Sequence, residues 1–245
     1  MFRQKKSSPT KPPSGRVSWW RRTRLGRAVR RTAIVLAVFL LTPVAFSAIY
    51  RFAPPPVTPL MVIRAIEGDG AARQWRSLEE LPDAVPLAVL AAEDNRFCAH
   101  NGFDWEAIGD AIEEARAGEG LRGASTISMQ LTRNLFLWPG GGWLRKGLEA
   151  LWTPVVELFL GKRRIVEVYL NVAEMGQGVF GIEAAARRHY GKSAADLTAR
   201  EAAGIAAILP NPRGWSPGSG YAAERTPVLQ RRMRDIAPLA DCVSD

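Results

Sequence analysis

The pattern of apolar and polar residues separates one uninterrupted apolar stretch from a long series of amphipathic segments. Residues 32–50, TAIVLAVFLLTPVAFSAIY, carry no charge. As a helix they would span about 28 Å, close to the roughly 30 Å of a bilayer core, so they predict one transmembrane helix. A cleaved signal peptide is the alternative. The long region before the stretch and the poor small-residue cleavage site around Tyr50 favour a retained anchor.

Beyond position 60, apolar residues recur at helical spacing without a convincing alternating strand, and they predict a mainly α domain. Asp104 is placed to cap one helix, and a longer helix is predicted from about Trp143 to Leu160, kinked at Pro154. The apolar stripes of these two helices comprise Trp105, Ile108, Ala111, Ile112 and Ala115, and Leu144, Leu148, Leu151, Val155 and Leu158.

Capping patterns predict further helix starts. Thr198 and Glu201 fit a capping box, and Thr226 before Pro227 fits a cap with proline at the first helical position. A small hairpin near 60–66 is the one strand candidate. The predicted organisation is a basic tail at 1–31, a transmembrane helix at 32–50, a linker at 51–59 and one helical domain at 60–245.

The charge distribution limits the classes of partner. The chain has 33 Lys and Arg against 24 Asp and Glu, a net charge of +9. Residues 1–31 hold eleven of the basic residues and no acid, which leaves 22 basic against 24 acidic residues in the remainder. The folded domain is therefore close to neutral, and no nucleic-acid partner is expected. Positive charge before the apolar stretch predicts a cytoplasmic tail and an extracytoplasmic domain.

Cysteine and histidine are too scattered to predict a zinc site. The chain has two cysteines, Cys98 and Cys242, and two histidines, His100 and His189. Outside the cytoplasm the cysteines can form a disulfide, but two unpaired thiols fit the sequence equally well.

The first candidate for chemistry is the stretch AAEDNRFCAHNGFD. An apolar helix is predicted to end in Glu93 and Asp94, and partial burial there would raise a carboxyl pKa and make a better proton acceptor. The alternative is a helix-end acid that pairs with Arg96. His100 is, by itself, more typical of a structural histidine than of a catalyst.

Two further stretches carry polar groups suited to an anionic ligand. GASTISMQLTRN, 123–134, predicts a helix start that would favour a phosphate, with Gln130 and Arg133 on its surface; the alternative is an ordinary capped helix. In WLRKGLEAL, Arg145, Lys146 and Glu149 share one helix face, either as part of a pyrophosphate site or as a surface ion-pair cluster.

Four stretches in this order resemble the signature motifs of the peptidoglycan glycosyltransferases of family 51, in particular its monofunctional membrane-anchored branch. They are EDNRFCAHNGFD, GASTISMQLTRN, RKGLE and KRRIVEVYLNVAEMGQGVFGIEAAARRHYGK. The resemblance extends from about Leu60 to Pro217. No second, transpeptidase domain is expected, because the Ser-x-x-Lys pattern that such a domain needs is found only at Ser8–Lys11 in the tail.

The resemblance implies a lysozyme-like, two-lobed helical domain that polymerises lipid II into β-1,4-linked glycan strands and releases undecaprenyl diphosphate with inversion. Glu93 then matches the general base on the acceptor 4-hydroxyl, and Glu149 matches the acid that organises the donor pyrophosphate. The implied substrate-binding residues are Ser125, Thr126, Gln130, Arg133, Arg145 and Lys146. The implied supporting residues are Asp94, Phe97, His100, Lys162, Glu167, Tyr169 and Asn171.

The resemblance also implies partners and a location. The partners are lipid II as donor and acceptor, membrane lipid, and divisome or other cell-wall synthesis proteins as candidates. No cofactor is required for certain; a divalent cation, Mg or Mn, is a candidate at Glu149. The implied location is the bacterial inner membrane, with a single pass, a cytoplasmic N-terminus and a periplasmic catalytic domain.

The sequence departs from the family pattern at four positions. Ala124 and Met129 stand where relatives commonly have Gly and Gln. The region around Gly141 lacks the basic residue that relatives often carry there, and Pro154 lies inside a predicted helix. Two alternatives are a lytic enzyme of lysozyme-like fold and a catalytically idle scaffold. The cationic motif argues against the first and the retention of both acids against the second.

Overall fold

The protein is described from a computed structural model, in which residues 24–118 and 123–243 are described. The chain divides into two units, Met1–Thr42 and Pro43–Asp245. Most of the predicted basic tail, positions 1–23, lies outside the described residues.

Helix α1, Arg24–Tyr50, contains the predicted membrane span and begins before it. The 25 residues from Gly26 to Tyr50 reach a mean hydropathy of 2.3 over their most apolar window, and only 11% of that window is buried. By length and composition this helix can cross a membrane, and it fits a single-pass anchor. Pro43 lies within the helix, as membrane helices tolerate.

Short helices dominate the second unit. Their bounds are α2 Pro59–Ile66, α3 Ala84–Glu93, α4 Trp105–Arg116, α5 Ile127–Phe136, α6 Trp143–Leu160, α7 Lys162–Val172, α8 Ile182–Tyr190, α9 Ala199–Ile208 and α10 Gly220–Ile236. Among the described residues, 3₁₀ turns are formed by Leu78–Glu80, Phe97–Ala99, Ala194–Asp196 and Ala237–Leu239. The predicted mainly α class is confirmed.

Two groups of helices form the unit. Helices α3, α9 and α10 pack against one another, and α5, α6 and α7 form the other group. Their apolar side chains belong to one continuous core that includes Leu90, Leu131 and Ile205. The two groups meet where α3 ends and α5 begins, in agreement with the expected two lobes, and this junction positions the site.

The prediction of a hairpin near 60–66 is wrong, and a small sheet is formed by other residues. Strands β1 Ala72–Arg73, β2 Glu174–Gly176 and β3 Val179–Phe180 form a sheet in the order β1-β3-β2, with β1 parallel and β2 antiparallel to β3. Positions 60–66 lie in α2 instead, because Thr58 caps that helix and Pro59 suits its first turn.

Capping patterns are confirmed at two helices and wrong at a third. Asp104 accepts from the Ala107 backbone N–H at the start of α4, and Thr198 with Glu201 forms the capping box of α9. Helix α10 begins at Gly220, not after Thr226, whose hydroxyl donates to the Ala222 carbonyl within the helix. That hydroxyl therefore satisfies a carbonyl of the helix interior instead of capping its start.

The apolar stripes of α4 and α6 do not face the core. In α4, Ala111 is the buried member of the stripe, while Trp105 is 72% exposed. In α6 the stripe that includes Leu144 and Leu158 is exposed, and the helix buries its opposite side around Glu149 instead. Helix α6 continues through Pro154.

Cys98 and Cys242 form a disulfide with a Cα–Cα distance of 5.6 Å. The bond joins the turn after Asp94 to the C-terminal segment across 144 residues. Of the two alternatives that the sequence left open, the structure therefore has the paired one.

Candidate active site

Glu93 is the last residue of α3 and is partly buried at the junction of the two helix groups. Its Oε2 accepts a hydrogen bond of 2.9 Å from Gln130 Nε2 on α5. Arg96, the alternative partner, lies instead against Asp104 and Glu106. Glu93 is thus not paired with Arg96, and the simple helix-end interpretation is wrong.

Gln130 is held from its other side by Tyr169 of α7. The buried Tyr169 hydroxyl donates to Gln130 Oε1 at 2.8 Å. Because that bond uses the amide oxygen, the amide N–H₂ faces Glu93, as an ionised carboxylate requires. A three-residue network from three helices therefore fixes the carboxylate.

The surroundings raise the pKa of Glu93. Burial is the largest cause; the Gln130 hydrogen bond and the charges of Arg225 and Arg133 act in the opposite direction. Burial, with the nearby Glu93 charge, also raises the Tyr169 pKa well above its usual value. Tyr169 therefore stays a protonated donor, while Glu93 is a stronger base than an exposed glutamate.

Asp94 closes the junction between α3 and α5. Its Oδ2 accepts from the Ile127 backbone N–H at 3.0 Å, and its Oδ1 lies 3.0 Å from His100 Nε2. The Thr126 hydroxyl donates to the Gly102 carbonyl at 2.6 Å and accepts from Met129 N–H at 3.2 Å. The N–H groups of Ile127 and Met129 are therefore already bonded to protein oxygens and are not free to bind a phosphate.

Glu149 lies on the buried side of α6 with two cations. Arg145 donates to its Oε2 at 2.6 Å and Lys146 to its Oε1 at 2.5 Å. The Glu149 side chain is 0% exposed, whereas that of Lys146 is 39% exposed. The alternative of a surface ion-pair cluster is wrong, since the carboxylate is fully buried.

Ser125 connects the two acids. Its hydroxyl accepts from Lys146 Nζ at 2.9 Å, and its carbonyl lies 3.4 Å from Gln130 Nε2. A continuous hydrogen-bonded chain thus extends from Glu93 to Glu149 through the three residues between them. A carboxylate with a raised pKa and a carboxylate bound to two cations thus belong to one hydrogen-bonded network.

Arg133 adds a cation near the same place. It is partly buried, and its charge lowers the pKa of both Glu93 and Tyr169. It also lines a cavity of about 160 Å³ with Leu60 and Trp138. No described residue pairs with its guanidinium, which leaves it available to an anion.

The predicted supporting residues divide into two sets. Phe97 is buried, and Lys162 Nζ lies 4.2 Å from its ring centroid. By contrast, Glu167 pairs with Arg164, and the Asn171 side chain bonds the backbone of Arg76. Tyr169 bonds to Gln130 and His100 bonds to Asp94, next to Glu93, whereas Glu167 and Asn171 bond to residues outside this network. The supporting role of the set stays a prediction.

Sequence reasoning missed Glu157. This α6 acid accepts from Ser128 Oγ at 2.5 Å and from Lys162 Nζ at 2.8 Å, so it joins α5, α6 and α7 beneath the site. Its position two turns after Glu149, on the same buried side of the helix, is the signal that could have revealed it.

Sequence reasoning predicted a helix at α10 but missed its place at the site. A cavity of about 740 Å³ begins at Glu93 and is lined along α10 by Tyr221, Glu224, Arg225, Val228, Leu229 and Arg232. These positions recur at helical spacing and could have been recognised as one face.

The candidate divalent cation does not fit this site. Both Glu149 oxygens already accept from cationic side chains. Within 24–118 and 123–243, no three His, Cys, Asp or Glu residues are grouped as metal ligands.

The two acids, Glu93 and Glu149, both lie within a stretch of the chain that matches a known family. A family model described as Transglycosylase matches residues 61–236, and the chain belongs to this family of lysozyme-like helical domains. The match continues past Pro217 and includes α10.

Curated relatives agree along most of the chain. A biosynthetic peptidoglycan transglycosylase of Rhodospirillum centenum is 51% identical over 224 residues, covering 89% of this chain and 97% of the relative. Proteins of the same name from Caulobacter vibrioides and Stutzerimonas stutzeri are 49% identical over 230 residues and 46% identical over 220 residues. They cover 90% and 85% of this chain, and 100% and 91% of the relatives.

Proposed function

We propose that this peptidoglycan glycosyltransferase polymerises lipid II into β-1,4-linked glycan strands and releases undecaprenyl diphosphate. The observation that carries this proposal is the hydrogen-bonded chain from Glu93 to Glu149, which joins a proton acceptor to a cationic group. The reaction needs both, because one substrate must lose a proton while the other loses a pyrophosphate.

Glu93 acts as the general base in this proposal. The acceptor 4-hydroxyl oxygen attacks the donor anomeric carbon, and Glu93 takes its proton as the new bond forms. The bond to the pyrophosphate breaks on the opposite side, so an α-linked donor gives a β-linked product. The raised pKa of Glu93 supports the assignment, since a stronger base lowers the barrier for proton transfer.

Glu149 acts through Arg145 and Lys146. Pyrophosphate leaves readily without a proton, so a second acid is not needed as a proton donor. Glu149 fixes the two cations, and the partly exposed Lys146 and Arg133 face the charge that develops on the leaving group. The buried carboxylate holds Arg145 and Lys146 in position before the donor binds.

The test uses the full chain in detergent with fluorescent lipid II. The wild type is expected to form polymer that a muramidase digests, and moenomycin, the donor-site inhibitor that the family resemblance implies, is expected to block it. Glu93→Gln is expected to lose polymerisation and still bind moenomycin. Glu113→Gln, an exposed acid of α4, is the matched control and is expected to retain activity.

Three outcomes would contradict the proposal in whole or in part. Absence of polymer from a folded, moenomycin-binding wild type would remove the polymerase assignment. Cleavage of preformed glycan strands by the wild type would favour the lytic alternative. Full activity of Glu93→Gln would be compatible with the polymerase reaction but would reject Glu93 as its general base.

We infer that α1 anchors the enzyme in the bacterial inner membrane with a cytoplasmic N-terminus. The eleven basic residues of positions 1–31 and the uncharged stretch after them support this orientation. A thiol-reactive probe that does not cross membranes should label a cysteine placed at Ser216 in intact spheroplasts, and not one placed at Ser7. The reverse labelling would overturn the orientation. The divisome or other cell-wall synthesis partners remain a prediction.

A further inference from the structure

The cavity along α10 has a charged wall that the proposed chemistry does not use. Its described lining includes Glu93, Ser125 and Gln130 on one side and Arg225 and Arg232 on α10. A volume of about 740 Å³ lies within the range of small-molecule sites. The cavity is therefore large enough for sugars and opens directly at the proposed base.

The two arginines differ in how they are held. Arg225 Nη2 donates to the Ala92 carbonyl at 2.8 Å, which places its charge next to Glu93. Arg232 is exposed and pairs with no described residue. An arginine without a partner at the edge of a cavity is suited to a carboxylate or phosphate, with which it forms paired hydrogen bonds.

The proposed reaction determines which substrate meets these arginines. In an inverting displacement the nucleophile approaches opposite to the leaving group. Arg133, Arg145 and Lys146 are placed for the leaving pyrophosphate, and none of them is among the described residues that line this cavity. The acceptor then approaches the anomeric carbon from the side away from these cations. The α10 cavity reaches Glu93 without any of the three cations in its described lining, and we therefore assign it to the acceptor.

The neighbouring cavity is unsuited to an anion. Its volume is about 350 Å³, and it shares Glu93 and Arg232 with the first. Its wall carries Asp94, Asp104, Glu106 and Asp110. An anionic group near Arg232 is therefore expected in the cavity along α10 and not in this one. The described lining of the α10 cavity has fewer acids, Glu93 and Glu224.

We propose that Arg232, together with Arg225, binds an anionic group of the acceptor substrate in the cavity along α10. The proposal rests on the proposed polymerase function and adds a specificity site for the acceptor. The shared chemistry is a carboxylate of the acceptor's peptide or a phosphate of its lipid carrier, and each can form the same paired hydrogen bonds with a guanidinium.

The test separates donor from acceptor. A donor whose own 4-hydroxyl is methylated is coupled to a lipid II analogue whose anomeric C–O bond to the pyrophosphate is replaced by a non-cleavable C–C bond, so that each molecule has one role. The rate is measured against the concentration of this analogue with the full chain. For Arg232→Ala the acceptor KM is expected to rise about tenfold, as for loss of one charge-assisted hydrogen bond, with kcat and moenomycin affinity unchanged. Arg232→Lys is expected to recover part of the loss.

Arg231 offers a matched control. It is an exposed arginine one position away on α10, and it is absent from the described lining of both cavities. Arg231→Ala is expected to match the wild type. An equal rise of KM in both variants, or no rise in Arg232→Ala, would overturn the subsite.

A second acceptor identifies the anion. With a lipid-linked disaccharide that lacks the peptide, wild type and Arg232→Ala should become equal if the group is a peptide carboxylate. A persistent difference assigns the site to phosphate. Failure of the polymerase function would appear differently, as absence of product from the wild type with every acceptor.

Discussion

Glu93 and Glu149 are the same residue type within one hydrogen-bonded chain, but their surroundings are opposite. Glu93 is partly buried, accepts from the neutral amide of Gln130, and has a raised pKa because burial outweighs the nearby cations. Glu149 is fully buried and accepts from two cationic side chains at 2.5–2.6 Å.

The difference shows how position assigns two roles to one side chain. A carboxylate with a neutral partner changes protonation at little cost to its surroundings, so it suits proton transfer. A carboxylate bonded to two cations holds both of them in place, and its removal would leave two cations without a counter-charge. Glu93 therefore suits the proposed proton transfer, whereas Glu149 suits the proposed holding of two cations.

Glu93→Gln is expected to give the largest change in rate and little change in stability. Loss of a general base should lower kcat by about 10²–10⁴-fold, while the amide keeps the shape of the side chain. Lipid II polymerisation measures the rate, and thermal unfolding measures the stability. A large fall in stability would mean that Glu93, like Glu149, also stabilises the fold.

The pH dependence sharpens the same prediction. Because the fold raises the pKa of Glu93, the stability that its protonated form contributes is present at low pH and is lost as pH rises through the folded pKa. Gln mimics the protonated form, so the variant should be at least as stable as the wild type at neutral pH. The difference in the free energy of unfolding between the two proteins should become smaller at acidic pH. The acid limb of wild-type kcat/KM should lie above the ordinary glutamate pKa of about 4.3.

Glu149→Gln is expected to reduce both stability and activity. Removing one charge from a buried pair commonly lowers the free energy of unfolding by about 3–5 kcal/mol, and the partial exposure of Lys146 favours the lower figure. Chemical denaturation measures this loss. The double variant Arg145→Leu, Glu149→Leu should recover stability without activity. Recovery of activity as well would contradict the role of this pair in holding the donor.

The Glu149 cluster was more accessible to sequence reasoning than the Glu93 network. Spacings of three and four residues on one helix are enough to bring Arg145, Lys146 and Glu149 together. The partners of Glu93 come from α5 and α7, at sequence distances of 37 for Gln130 and 76 for Tyr169, so no local pattern reveals them. Family resemblance placed these residues in a site, whereas their contacts follow from packing.

The misplaced apolar stripes have a physical reason. Helix α6 carries apolar residues on more than one side, and periodicity alone does not tell which side packs. The side with Glu149 is buried because its charge is compensated within the protein, while Leu144, Leu151 and Leu158 remain exposed. Likewise, α10 was missed at the site because its cleft face mixes charged and apolar residues.

Gln130→Met tests whether the neutral partner tunes the base. The Gln130 hydrogen bond lowers the pKa of Glu93, so its loss should raise that pKa and move the acid limb of kcat/KM to higher pH. At neutral pH, kcat/KM should fall about tenfold, the size of one lost hydrogen bond to a charged group. Ser128→Ala, a change on the same helix that does not contact Glu93, should leave the limb in place. If the acid limb does not move in Gln130→Met, the Gln130 hydrogen bond does not influence the pKa of Glu93.

Tyr169→Phe is expected to give the smallest effect, since Tyr169 acts on Glu93 only through Gln130. The change removes the 2.8 Å bond that fixes the amide, and the unpartnered Gln130 oxygen should lower the free energy of unfolding by about 1–2 kcal/mol. The rate should fall less than in Gln130→Met, because the amide can still reach Glu93. Tyr190→Phe is the control, since its partly buried hydroxyl has no hydrogen bond to any described residue. Equal losses in the two variants, measured by denaturation and by polymerisation, would show that the Tyr169 hydroxyl does not hold the base in place.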